Sequence, residues 1–72
     1  MARLPRVSGA ETIDALERLG FAVVRQRGSH VILRRDVIGC VVPNHRELKT
    51  GTLAGVLKQA GVSAEQFIEA LR

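Results

Sequence analysis

Phe21-Ala22-Val23-Val24-Arg25-Gln26-Arg27-Gly28-Ser29-His30-Val31-Ile32-Leu33-Arg34 holds two strands and the turn between them. Phe21 to Gln26 is rich in residues that suit a pleated, half-buried surface, and it reads as a first strand. Arg27-Gly28 makes a tight turn, and Ser29 to Arg34 reads as a second strand. A second turn falls around Arg35-Asp36, and Val37 to Val42 is the third strand. Pro43 has no amide proton with which to continue a ladder, so the polar run Asn44 to Lys49 is a loop. Connections this short predict an antiparallel meander.

Both flanks of the meander are helical. Ser8-Gly9-Ala10-Glu11 is a capping box, in which Ser8 accepts from the N3 amide and Glu11 reaches back to the cap amide. Ile13, Leu16 and Leu19, joined by Ala15, form an apolar stripe at helical spacing. Asp14 and Arg18 stand at i,i+4 on the wet side as an expected ion pair. Gly20 stops this helix as its C′ residue. Thr50 is the expected cap of a second helix with apolar positions Leu53, Val56, Leu57 and Ala60, closed by Gly61. Ser63-Ala64-Glu65-Gln66 is another capping box, flanked by Val62 and Phe67 as a hydrophobic staple; Phe67, Ile68 and Leu71 give the third helix its apolar face. The predicted fold class is α+β, in the order α-β-β-β-α(α), with a three-stranded antiparallel sheet packed on helices. With no repeat, low-complexity tract or linker, residues 1–72 read as one domain.

A chain of 72 residues buries only about 60% of the surface its unfolded form exposes, so packing must be economical. Cys40 is the lone cysteine. It fits a reducing compartment and the role of a small buried hydrophobe. The start, Met1-Ala2-Arg3-Leu4-Pro5-Arg6, lacks the apolar stretch of a signal peptide, and no apolar run is long enough to cross a bilayer. The expectation is a soluble, cytoplasmic protein.

The formal net charge is +4, and all of the excess lies between Arg25 and Lys49, where six basic residues face only Asp36 and Glu47. Elsewhere five basic residues balance five acidic ones. Such concentration points to a polyanion partner, through counterion release at each neutralised phosphate, or to a solvated basic surface. With no Trp or Tyr, and with Phe21 and Phe67 needed for the core, there is no aromatic platform for stacking splayed bases. His30, Cys40 and His45 lack carboxylates at ligand spacing, so no metal or other cofactor is expected. A nucleophilic triad is equally unsupported.

What remains is a histidine in a basic region. His30 follows the Gly28-Ser29 turn at the start of a strand, held by the ladder yet near solvent. It reads either as a polar strand residue beside a turn or as an acid-base catalyst, with Arg25, Arg27 and Arg34 near enough to bind a phosphate. His45 reads as a surface loop residue. Glu47 and Lys49 order the approach to the second helix or contact phosphate or a protein partner, and Gly51 leaves room for close backbone approach near a helix N-terminus.

Gly20-Phe21, Val24-Arg25-Gln26-Arg27 and Gly28-Ser29-His30, followed by Val41-Val42-Pro43, His45, Glu47-Leu48-Lys49, Gly51-Thr52-Leu53 and Leu57-Lys58-Gln59-Ala60-Gly61, resemble the HicA toxin family in order and spacing from Leu4 to Leu71. The resemblance implies a fold like a double-stranded RNA-binding domain, ribosome-independent cleavage of mRNA (an mRNA interferase), and a HicB-type antitoxin that masks the site. The histidine of the family's Gly-Ser-His motif is the catalytic one, and its position here is His30; Arg25, Arg27, Ser29, Arg34 and Lys49 are the expected RNA contacts. The chain departs from the family at Thr50, where proline is common, and at Ala54, where a basic residue is common; the loop between strands two and three is short. The expected chemistry is metal-independent transesterification with His30 as general acid/base. A non-catalytic double-stranded RNA-binding module and a protein-interaction module docking on an acidic partner are the competing readings.

Overall fold

The computed structural model describes residues 3–72; Met1 and Ala2, the start of the segment read as lacking a signal peptide, lie outside the described residues. Helix α1 (Gly9–Arg18), strands β1 (Ala22–Arg27), β2 (His30–Arg35) and β3 (Ile38–Pro43), and helices α2 (Thr50–Ala60) and α3 (Ala64–Ala70) follow one another in the expected order. The strands form one antiparallel sheet in the order β1-β2-β3. The α+β class and the meander are therefore as read.

The capping signals decide where the helices begin. Ser8 accepts from the Glu11 N–H while the Glu11 carboxylate accepts from the Ser8 N–H, and Ser63 and Gln66 repeat the arrangement at α3. The second helix differs. Its cap is Lys49, one residue before the expected Thr50, in extended conformation and with no side-chain hydrogen bond; Leu53 N–H donates to the Lys49 carbonyl at 2.9 Å, which brings Thr50 inside the first turn. The expected Asp14–Arg18 pair is also replaced. Arg18 donates instead to the main-chain oxygens of Ala70 and Arg72, at 2.7 and 3.2 Å, and so satisfies the Ala70 carbonyl at the end of α3, which has no partner further along the helix.

Each strand sits one residue later than its sequence suggested. Gly28-Ser29 rather than Arg27-Gly28 forms the first turn, because Gly28 takes φ +58°, the left-handed value a two-residue hairpin needs at its first central position. Asp36-Val37 forms the second turn, with Asp36 itself at φ +55°.

The core lies between one face of the sheet and the helices. Leu16, Leu33, Val42, Leu53 and Phe67 are fully buried, each contributing about 1.5–3 kcal/mol by burial. α2 packs chiefly on β3, and α1 bridges the sheet and α3. The expected half-burial fails at β1, where all six residues are exposed. This strand is at the sheet's edge, beyond the reach of α2, so neither of its faces is fully covered.

Cys40 is buried on β3, and desolvation pushes its thiol pKa up. A buried thiol with little thiolate is a poor nucleophile. Alkylation of the native protein at neutral pH is therefore expected to proceed only through unfolding; measured labelling as fast as that of the denatured chain would contradict this packing.

Candidate functional site

Antiparallel register fixes which side chains share a face, because directly opposed residues point the same way. Along β2, Val31 and Leu33 are buried against the helices, whereas His30 and Arg34 are exposed and Ile32 is half-buried on the opposite, open face. Arg27 lies opposite His30 and Arg25 opposite Ile32. On the other side Pro43 opposes His30, Val41 opposes Ile32 and Gly39 opposes Arg34. The open face thus carries Arg25, Arg27, His30 and Arg34 together. Among the described residues no helix covers it, and a shallow depression of about 350 Å³ lies among Val24, Arg25, Ile32 and Arg34.

A register shift at Val24 matters to this arrangement. Without the extra residue, Val23 would fall on the same face as Arg25 and Arg27; with it, Val23 opposes Leu33 and leaves the open face. The neighbouring Arg35 is excluded by simple alternation. It opposes Ile38 on the helix side, where its guanidinium lies 4.7 Å from the Phe21 ring centroid and donates to the Leu19 carbonyl at 2.8 Å. Of the six basic residues in the central segment, Arg35 is structural and three define the open face.

Ser29 and Lys49 lie elsewhere. Asn44 N–H donates to the Ser29 carbonyl at 2.6 Å, tying the loop after β3 to the turn before His30. The same loop is fixed to α1, since Gly9 N–H donates to the His45 carbonyl at 2.8 Å. A second depression, of about 280 Å³, is lined by Pro43, His45, Glu47, Leu48, Lys49 and Thr52. Pro43 borders both regions, because it opposes His30 and also lines this second depression. Lys49 stands at the positive end of the α2 dipole, with no acidic residue in the first turn. Glu47 is drawn off toward Arg6, at 3.7 Å in an exposed pair.

Gly9 is the residue that sequence reasoning missed. A β-carbon there would overlap the Pro43 carbonyl oxygen and lie 2.6 Å from Asn44 Cα. Gly51, read as leaving room for close backbone approach, has open space around it, since nothing of the chain comes within 4 Å of a β-carbon built there. Among the described residues, no three His, Cys, Asp or Glu side chains converge as metal ligands, and no helix is long and apolar enough to cross a membrane.

A family model for the HicA toxin of bacterial toxin-antitoxin systems matches residues 9–62. The chain belongs to the HicA toxin family. The match runs from the glycine under the Pro43 loop to the staple residue Val62, and so takes in the whole sheet, α1 and α2. A toxin role within a toxin-antitoxin system follows from this membership. No curated protein matches the sequence.

Proposed function

We propose that this HicA toxin is an endoribonuclease that cleaves mRNA by metal-independent transesterification on the open sheet face. The observation that carries the reading is the cross-strand row Arg27-His30-Pro43, which sets an exposed imidazole beside an exposed guanidinium with Arg25 and Arg34 on the same face. His30 acts as general base and takes the proton of a ribose 2′-hydroxyl. The freed oxygen attacks the adjacent phosphorus, the bond to the 5′-oxygen breaks, and His30 returns its proton to that leaving oxygen as general acid. The products are a 2′,3′-cyclic phosphate and a 5′-hydroxyl. Arg25, Arg27 and Arg34 hold the strand and offset charge on the pentacoordinate phosphorus. Ser29 and Lys49 contact the backbone where it passes the turn end of the sheet. An anion there relieves the unfavourable placement of Lys49 at its helix terminus. The protein partner is an antitoxin of the HicB type.

The test is incubation of labelled single-stranded RNA with the purified protein, with product ends mapped in the presence and absence of chelator. Cyclic phosphate ends that persist with chelator support the proposal; 3′-hydroxyl ends, or activity lost to chelator, overturn it. Binding of RNA without cleavage would favour the binding-module reading. Changing Arg25, Arg27 or Arg34 singly to alanine is expected to lower RNA affinity and to reduce the slope of log affinity against log salt by about 0.7 for each lost phosphate contact. An unchanged slope in all three variants would remove these residues from the RNA interface.

A further inference from the structure

The sheet has two edges, and among the described residues only one is closed. On β3, the Gln59 side-chain oxygen accepts from the Val41 N–H at 3.1 Å, and α2 packs along the strand. The β1 ladder runs to β2 alone among the described residues, and Val23 and Val24 remain 45% and 57% exposed. An uncovered edge is a template for another strand unless it is blunted. The bulge at Val24 interrupts it, yet Arg25-Gln26-Arg27 keeps regular register with Ile32, Val31 and His30. Arg27 and His30 close a two-residue turn, so the alternation of the ladder aims the Gln26 N–H and C=O outward.

Charge selects the occupant. In a second copy of this chain, antiparallel pairing centred on Gln26 would set Arg25 against the other copy's Arg27, and like charges directly opposed destabilise a sheet. An acidic strand meets the opposite condition, since its carboxylates would lie beside Arg25 and Arg27 while its backbone pairs with Gln26. We propose that the β1 edge takes an extended acidic segment of a protein partner as a fourth strand. The proposal rests on toxin-antitoxin membership only for the existence of a protein partner, and it is independent of the chemistry assigned to His30. Its consequence is regulatory. Carboxylates on the added strand neutralise the arginines beside His30 and compete with RNA for them.

The test uses the full chain and a short synthetic peptide of alternating valine and glutamate, compared with one of valine and lysine. Amide chemical shifts and hydrogen exchange report the site. The glutamate peptide is expected to protect the Gln26 amide and shift β1 resonances. Gln26→Pro should weaken it about tenfold, the worth of the one hydrogen bond lost with the Gln26 N–H. A glutamate peptide N-methylated at every amide, which has no N–H on either edge to donate, supplies the same test without altering the protein and is expected not to bind. Equal binding of the N-methylated or lysine peptide, shifts confined to β3 and the helices, or self-association of the free chain through β1 would each overturn the proposal. So would protection of Gln26 by RNA but not by the glutamate peptide. RNA cleavage is read separately, so failure here leaves the nuclease proposal standing.

Discussion

Gly9→Ala is expected to destabilise the protein by about 3 kcal/mol or more, a large share of the roughly 4–11 kcal/mol total expected for a domain of this size. The added carbon meets main-chain atoms, the Pro43 carbonyl and Asn44 Cα, so no rotamer change relieves the overlap. Relief requires α1 and the Pro43–Asn44–His45 backbone to separate, which breaks the hydrogen bond from Gly9 to the His45 carbonyl and loosens the one from Asn44 to Ser29. The damage therefore reaches the turn before His30. Gly55→Ala is the control, because open space surrounds that position inside α2; alanine there should stabilise the protein by about 0.5–1 kcal/mol. Urea unfolding checks both. A Gly9→Ala loss below about 1 kcal/mol would show that the loop is not seated on α1 as described.

His30→Ala should lower the rate of RNA cleavage by about 10²–10⁴, the usual contribution of a general base. Its side chain is exposed and makes no side-chain hydrogen bond among the described residues, so stability should change by no more than about 0.5 kcal/mol. That combination separates a chemical role from a structural one. RNA binding should largely survive, because the arginines remain. His45→Ala provides the comparison, since the loop uses His45 through its main chain, donating to Pro43 and accepting from Gly9. Single-turnover cleavage on folded variants distinguishes them: equal losses for the two histidines, or full activity in His30→Ala, would contradict the proposed assignment.

Much of the fold was legible because its signals are local. The capping boxes at Ser8 and Ser63, the stop at Gly20 and the change of period at Phe21 each act through neighbouring residues. The turns lie one residue later than the sequence suggests, because either neighbour of Gly28 can share the bend and only pairing across the strands decides. Lys49 displaced Thr50 for a related reason: the residue better suited to capping lost to the path imposed by the preceding loop. Arg34 and Arg35 fall on opposite faces by alternation along β2, which shows only once Arg35 lies in the strand and not in the turn where the sequence puts it. The bulge at Val24 did not show itself, and it alone decides which valine leaves the face shared by Arg25 and Arg27. Gly9 had a weak signal, a poor helix former in the first turn of an otherwise well-capped helix, but its reason lies 34 to 36 residues away at Pro43, Asn44 and His45. The exposure of β1 was hidden too, because its valines resemble those of a covered strand until the helices are placed.

Transesterification of RNA on the open face, as proposed, needs the 2′-hydroxyl next to the broken bond. The most direct measurement is single-turnover cleavage of an RNA oligonucleotide carrying one 2′-deoxynucleotide on the 5′ side of the mapped cleavage site, beside its all-ribose parent. Cleavage at that bond is expected to disappear while affinity for the oligonucleotide is retained. Cleavage of the deoxy-substituted bond at the parent rate would contradict it.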